Sequence, residues 1–190
     1  LIPRPETETL VSWALELSLP HAAQVLDLGT GSGAIALALA SERPSWNVRG
    51  VDASEAALAV ARDNAARLGL ARVEFLYSHW YAAVAGEKFD LLVSNPPYID
   101  GSDAHLSSGD VRFEPRSALV AEEGGLADIM QLVQGARAQL HAGGWLLLEH
   151  GFSQGEEVRG LLQAAGFSAI ATRSDLAGHE RITGGSCDAR

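Results

Sequence analysis

From residue 25 to residue 33 the chain reads Val25-Leu26-Asp27-Leu28-Gly29-Thr30-Gly31-Ser32-Gly33. The first four residues are a short, mainly apolar run, which is typical of a buried strand. Residues 34–41 are apolar nearly all round and predict a buried helix. The glycines between them allow a tight turn and a close approach to a ligand, and the helix start favours a negative group. The alternative is a plain tight turn without a ligand.

The same alternation of strands and helices continues along most of the chain. Further strands are predicted over residues 48–51, 73–77, 89–94, 145–149, 167–172 and 180–184. Further helices are predicted over residues 7–19, 54–68, 126–140 and 155–165. Residues 95–125 show no strong periodicity of apolar residues. Such alternation predicts an α/β fold with a doubly wound, mostly parallel sheet and helices on both faces.

The composition indicates one ordinary domain, 1–190, with enough apolar residues for a sizeable core. Of its 190 residues, 47% are hydrophobic and 20% are charged, and a single cysteine excludes a disulfide scaffold. No apolar run reaches the roughly 18 residues of a membrane helix. The net charge of −10 argues against binding of a nucleic-acid backbone. Because the chain begins at Leu1, we interpret it as a piece of a longer protein.

Ligands of parallel sheets bind at the carboxyl ends of the strands, so polar and aromatic residues at those ends are candidates. Asp52 ends the second strand, where a carboxylate can accept both hydroxyls of a ribose; the alternative is a helix cap before Ser54. Trp80 follows the third strand and could stack on an adenine. The alternative is ordinary packing against other side chains. His79 could bond a base edge, or lie solvated in its loop.

Asn95-Pro96-Pro97-Tyr98 follows the fourth strand, where a substrate would meet a cofactor. The two prolines fix the backbone and remove two N–H donors, which leaves carbonyl oxygens as acceptors. The Asn95 side chain adds an acceptor and Tyr98 a flat ring. Together they suit a planar NH2 group, whose nitrogen lone pair they would aim at an electrophile. The alternative is a proline-stiffened turn.

These residues leave the cofactor open between two classes. Gly29, Gly31 and Ala34 also satisfy the dinucleotide spacing, and Asp52 suits the ribose of NAD as well as that of S-adenosylmethionine. An NAD-dependent oxidoreductase, however, has no need of Asn95–Tyr98. That segment therefore favours a reaction of a nitrogen with an electrophile over hydride transfer.

The glycine loop, Asp52 and Asn95–Tyr98 resemble the class I methyltransferases that use S-adenosylmethionine. Four stretches resemble one family of these, the peptide chain release factor N5-glutamine methyltransferases. The stretches are Leu1-Ile2-Pro3-Arg4-Pro5-Glu6-Thr7-Glu8, Asn95-Pro96-Pro97-Tyr98-Ile99, Gly109-Asp110-Val111-Arg112-Phe113-Glu114-Pro115 and Leu148-Glu149-His150-Gly151.

The resemblance implies a Rossmann-like sheet with an antiparallel last strand and methylation of the glutamine in the Gly-Gly-Gln motif of class 1 release factors. It implies that S-adenosylmethionine contacts Gly29, Thr30, Gly31, Ser32, Gly33, Asp52, Trp80 and Asn95. It implies that the substrate contacts Asn95, Pro96, Pro97 and Tyr98, with Asn95, Pro96 and Tyr98 catalytic. Many members have Asp where this chain has His79.

The same resemblance sets expectations for the partners and surroundings. The partner is a release factor, with no direct nucleic-acid or membrane contact, and the location is cytoplasmic. We expect no metal and no covalent intermediate. Family members carry an N-terminal helical docking domain, which we expect to be absent from this chain. Arg4, Glu6, Arg112 and Glu114 could shape the substrate mouth, or be solvated surface charge.

Three competing functions remain at this point. An adenine methyltransferase acting on DNA or RNA would use the same Asn95–Tyr98 device, but it would need a basic groove, which the net charge of −10 disfavours. An NAD-dependent oxidoreductase leaves Asn95–Tyr98 unexplained. A methyltransferase-like domain kept only for binding would not need these motifs intact.

Overall fold

The computed structural model describes residues 5–100, 120–121 and 125–188. Of the residues predicted to shape a substrate mouth, Arg4, Arg112, Glu114 and the Glu6 side chain lie outside the described part of the chain.

Strands and helices alternate along the described chain. The strands are β1 (Gln24–Leu28), β2 (Asn47–Asp52), β3 (Glu74–Tyr77), β4 (Phe89–Ser94), β5 (Ile99–Asp100), β6 (Val120–Ala121), β7 (Leu140–Glu149), β8 (Ser168–Ser174) and β9 (Glu180–Ser186). The α-helices are α1 (Pro5–Glu16), α2 (Ala34–Glu42), α3 (Glu55–Arg67), α4 (Ala127–Gln139) and α5 (Gly155–Ala164).

Seven strands form one sheet in the order β3-β2-β1-β4-β7-β9-β8. The pairs from β3 to β7 are parallel, and β9 runs antiparallel to both of its neighbours. The short strands β5 and β6 pair in parallel, within the segment where the sequence shows no period. The predicted α/β fold with an antiparallel last strand is confirmed.

The core lies on both faces of the sheet, which explains why the central strands are apolar without alternation. On one face, Leu10 and Trp13 of α1 pack with the apolar side chains of α2 and α3. On the other face, Leu132 of α4 and Leu162 of α5 cover Phe89 and its neighbours. The five central strands are therefore held rigidly, and their carboxyl ends form a fixed edge.

Two boundaries differ from the sequence prediction. Helix α1 ends at Glu16 rather than at residue 19, because the Leu17 N–H bonds to the Ala14 carbonyl in a tight last turn. A helical residue directly before Pro20 would also be sterically disfavoured. Strand β7 begins at Leu140, well before the predicted start at residue 145.

The early start of β7 reflects a role of Gly143 and Gly144 that differs from the predicted helix stop. The Gly143 N–H donates to the Cys187 carbonyl, and the Cys187 N–H donates to the Gly144 carbonyl at 2.7 Å. Gly143 has a φ of 79°, which favours glycine. The glycines thus form an irregular first half of the strand, and the register against β4 shifts between Phe89 and Leu91.

Candidate active site

A cavity of about 550 Å³ opens at the carboxyl ends of β1–β4. This volume lies in the range of small-molecule sites, about 300–1,000 Å³. Of the predicted site residues, Gly29, Gly31, Ser32, Asp52, Trp80, Asn95 and Pro97 line it. The remaining lining residues are Ala53, Ser54, Ala56, Ala57, Val60, Ser78, His79 and Asp128. Four separate turns, distant in sequence, therefore meet at one site.

The glycine loop is held against the end of β2. The N–H groups of Gly29 and Thr30 both donate to the Val51 carbonyl at 2.9 Å. Gly29 and Gly31 have φ values of 70° and 56°, which other residues rarely adopt. A β-carbon on Gly29 would also stand 3.3 Å from the Trp80 ring. The loop therefore requires glycine for both its shape and its clearance.

Thr30 and Gly33 lie behind the loop rather than in the cavity lining. The Thr30 hydroxyl donates to Asp27 Oδ2 at 2.6 Å, and the Ala36 N–H donates to the same oxygen at 3.2 Å. Gly33 caps α2, and a β-carbon there would stand 3.1 Å from the Phe75 ring. These two predicted cofactor residues thus support the loop from inside the protein.

Asp27 is fully buried beneath the glycine loop, and its Oδ1 atom has no hydrogen-bond partner among the described residues. Burial raises the pKa of the Asp27 carboxyl to about 7, although the Thr30 and Ala36 bonds act in the opposite direction. The charge of Asp52 raises this pKa further. Asp27 therefore changes its protonation state near neutral pH.

Asp52 serves the loop and the following helix at the same time. Its Oδ2 accepts the Gly31 N–H at 2.8 Å, and its Oδ1 accepts the Ser54 N–H at 2.8 Å. Ser54, rather than Asp52, caps α3 by accepting the Ala57 N–H. A carboxylate oxygen can accept more than one hydrogen bond, so Asp52 keeps capacity for ligand hydroxyls.

Trp80 is held in an unusual backbone conformation, with a φ of 46°. The buried hydroxyl of Ser78 donates to the Trp80 carbonyl at 2.8 Å and accepts the Ala83 N–H at 3.0 Å. These bonds fix the turn after β3 and place the indole ring in the cavity wall, against Gly29. His79 is exposed, lines the cavity and packs edge-on against Tyr77.

The Asn95–Tyr98 segment lies at the same cavity and is anchored beside it. Asn95 and Pro97 line the cavity, whereas Pro96 is buried. Half-buried Tyr98 donates its hydroxyl to Glu149 Oε1 at 3.2 Å, and its carbonyl accepts from Gln154 Nε2 at 3.1 Å. The structure thus brings Asn95 to the same cavity as the glycine loop and Asp52.

Three polar residues at the site were not predicted from the sequence to have a role. Asp128, in the first turn of α4, lines the cavity, and burial raises the pKa of its carboxyl. Thr7 and Glu149 bond to each other at 2.9 Å and lie next to Asn95 and Tyr98. Thr7 and Glu149 belong to stretches that resemble the family, and this resemblance is the signal that could have identified them.

Within residues 5–100, 120–121 and 125–188, no cluster of three or more His, Cys, Asp or Glu residues could hold a metal ion. None of the described helices has the length and hydropathy needed to cross a membrane.

The chain is similar to known methyltransferases over most of its length. Residues 7–142 match the family model described as "Methyltransferase small domain". The "Release factor glutamine methyltransferase" of Salmonella typhimurium is 54% identical over 97% of this chain and 67% of that protein. The protein of the same name from Xylella fastidiosa (strain Temecula1) is 55% identical over 98% of this chain and 68% of its own length.

A solved structure agrees with these relatives. The "protein-(glutamine-N5) methyltransferase (release factor-specific)" from Alicyclobacillus acidocaldarius superposes with a TM-score of 0.59 and 26% identity, covering 99% of this chain and 95% of that one. The chain spans about two thirds of the length of the curated relatives named above. The family predicted from the sequence is confirmed. This chain belongs to the methyltransferase small domain family and to the release factor glutamine methyltransferases.

Proposed function

We propose that this chain transfers a methyl group from S-adenosylmethionine to the side-chain amide nitrogen of the glutamine in the Gly-Gly-Gln motif of class 1 release factors. The observation that carries the proposal is that Asn95 lines the same cavity as Gly29, Asp52 and Trp80. An acceptor for an amide therefore stands beside a site suited to an adenosine. Family membership supports the same reaction.

The residues present fit S-adenosylmethionine. The cavity of about 550 Å³ has a carboxylate, Asp52, at the position suited to ribose hydroxyls, and the Trp80 ring offers a face for the adenine. The glycine loop and the start of α2 favour the negative carboxylate of an amino acid. When bound, this cofactor would supply a methyl group on a positively charged sulfur: the amide nitrogen would bond to the methyl carbon as the carbon–sulfur bond breaks, S-adenosylhomocysteine would leave, and the nitrogen would lose one proton.

The substrate amide is oriented by the Asn95–Tyr98 segment. Asn95 Oδ1 and the Pro96 carbonyl each accept one hydrogen of the glutamine NH2 group, which holds the amide in a fixed plane. Because an amide nitrogen is a weak nucleophile, orientation must supply much of the rate, with reacting atoms held about 3–3.5 Å apart. Tyr98 follows in the same segment, and its hydroxyl is held by Glu149.

The partner is a release factor rather than a nucleic acid. The net charge of −10 would repel a phosphate backbone, so direct contact with DNA or RNA is not part of the proposal. The release factors act in translation, which places the reaction in the cytoplasm.

Transfer of label from S-adenosylmethionine tests the proposal. The chain is incubated with radiolabelled cofactor and, separately, with a class 1 release factor, duplex DNA and RNA. We expect label on the release factor and none on either nucleic acid, with Asn95→Ala as the inactive control. Label on DNA or RNA as N6-methyladenine would replace the proposal by adenine methylation. Absence of label from all three would overturn the proposal.

A further inference from the structure

Glu149 lies beside Asn95 because of the strand register. In the parallel pair β4–β7, Ser94 is the partner of Leu148, so Asn95 and Glu149 follow at the same sheet edge. The Glu149 side chain is fully buried. Helix α1 packs against β7 and brings Thr7 to the same point.

The four side chains Thr7, Asn95, Tyr98 and Glu149, here called the Glu149 network, are joined by hydrogen bonds. Thr7 Oγ1 donates to Glu149 Oε2 at 2.9 Å, and the Tyr98 hydroxyl donates to Glu149 Oε1 at 3.2 Å. Asn95 Nδ2 donates to Thr7 Oγ1 at 3.4 Å. The two side chains expected to hold the substrate are thereby tied to one buried residue.

The direction of these bonds follows from the chemistry of the groups. The hydroxyl groups of Thr7 and Tyr98 donate to the two carboxyl oxygens of Glu149, and each hydroxyl has a single hydrogen to donate. Thr7 then has only lone pairs left and can accept from Asn95 but cannot donate to it. The Asn95 amide group is therefore fixed with its Nδ2 atom toward Thr7 and its Oδ1 atom on the side away from Thr7.

We propose that Thr7 and Glu149 are positioning residues that set the orientation of the Asn95 amide group. This inference rests on the proposed function, because the orientation matters only if Asn95 Oδ1 accepts from a substrate NH2 group. A flipped amide group would present its own NH2 to the substrate NH2, and two donors would face each other. Thr7 and Glu149 exclude that orientation by acting on Asn95 rather than on the substrate.

Variants of Thr7 separate positioning from packing. Thr7→Val keeps the shape of the side chain but removes the hydroxyl, and we expect kcat on a release factor to fall at least about tenfold, as for one lost oriented hydrogen bond. Thr7→Ser keeps the hydroxyl and should retain kcat within about threefold, a difference within the scatter of single hydrogen bonds. Thr9→Val makes the same chemical change on the same helix outside the network and should leave kcat unchanged.

Glu149→Gln tests the direction of the bonds. Its amide oxygen still accepts from one hydroxyl, but its NH2 group faces the other and forces a rearrangement. We expect kcat to fall as in Thr7→Val, while S-adenosylhomocysteine binding and the melting temperature stay close to those of the unmodified chain.

A readout independent of activity keeps this inference separate from the proposed function. The side-chain 15N–1H signals of Asn95, assigned with Asn95→Asp, should shift in Thr7→Val but not in Thr9→Val. If the unmodified chain methylates no release factor, the proposed function fails, and the signals still report whether Thr7 orients Asn95.

Three results would overturn the inference. One is kcat in Thr7→Val and Glu149→Gln within twofold of the unmodified chain. Another is a fall in kcat that is matched by equal losses of S-adenosylhomocysteine affinity and melting temperature, which would mean general support of the fold. The third is an Asn95 amide signal that is unchanged in Thr7→Val.

Discussion

The Asn95 side chain carries a donor and an acceptor, and the fold engages the donor. Nδ2 donates to Thr7, while the residue lines the cavity beside the glycine loop. The position of Asn95 after a buried strand, followed by two prolines, was sufficient to predict its place. Its bond to Thr7 was not predictable, because it depends on how α1 packs across the sheet.

Replacing Asn95 should separate binding from chemistry. We expect Asn95→Ala to lower kcat about 10²–10³-fold, by analogy with deletion of one oriented polar group. Affinity for S-adenosylhomocysteine should change less, because Asp52 and the glycine loop remain. Steady-state kinetics with a release factor and calorimetry with S-adenosylhomocysteine measure the two effects.

Asn95→Asp sharpens that prediction. It keeps an acceptor toward the substrate but removes the NH2 donor to Thr7, so a large loss of kcat would show that the donor side contributes. Near-normal kcat in Asn95→Ala would leave Asn95 with a structural role alone.

Removing the Asp52 carboxylate should weaken cofactor binding. We expect Asp52→Ala to lower the affinity for S-adenosylhomocysteine by about 1.5–3 kcal/mol, as for hydrogen bonds to charged groups. Part of this loss would come from the Gly31 and Ser54 N–H groups that Asp52 also holds. The control Asp63→Ala removes an exposed carboxylate on α3, outside the cavity lining, and should bind normally. Calorimetry showing binding of NAD but not of S-adenosylhomocysteine would contradict the assignment.

At the scale of elements, the unit from β1 to α2 was predictable because its local signals agree with one another. The strand is apolar, the turn is glycine-rich and the helix is apolar, so each neighbour supports the next. The segment from residue 101 to 119 gave no such signal and is outside the described part of the chain. Asp128 was missed because no local signal marks it: it reaches the cavity only through the packing of α4 against the sheet.

Gly50 on β2 allows the glycine loop to approach the sheet. A β-carbon there would stand 2.6 Å from Thr30 Oγ1 and 2.8 Å from the Phe75 ring. We expect Gly50→Ala to lower the free energy of unfolding by about 1–3 kcal/mol, as for an overpacked core, and to weaken cofactor binding through Thr30. Urea denaturation and calorimetry measure the two effects.

Gly160 provides the matched control, because it lies in α5 with open space around the added carbon. Gly160→Ala should raise the free energy of unfolding by about 0.5–1 kcal/mol, as for glycine in a helix. Equal effects of the two substitutions would contradict the packing described around Gly50.

In the whole molecule, the order of the strands brings the four turns that line the cavity to one edge of the sheet. Motif spacing was enough to predict this arrangement, because parallel strands must have their carboxyl ends together. The early start of β7 was not predictable, because Gly143 and Gly144 bond to Cys187, which is distant in sequence.

The buried Asp27 should make global stability depend on pH. Its folded pKa of about 7 lies above the ordinary value of 3.8, so between these values the folded chain holds a proton that the unfolded chain has released. The free energy of unfolding should therefore fall, through this group, as pH rises from about 4 to about 7, by up to about 1.4 kcal/mol per pH unit.

Asp27→Asn isolates this contribution, because the substitution is neutral at every pH and leaves the other titrating groups in place. Urea denaturation at several pH values measures the difference between the two proteins. A difference that does not change between pH 4 and pH 7 would contradict a raised pKa of Asp27.

The methylated atom of the release factor is the decisive measurement. After incubation with S-adenosylmethionine and a class 1 release factor, the product is digested and sequenced by tandem mass spectrometry. We expect one methyl group, on the side-chain nitrogen of the glutamine in the Gly-Gly-Gln motif, and none when that glutamine is replaced by glutamate. A methyl group on any other residue, or on the glutamate variant, would contradict the proposed function.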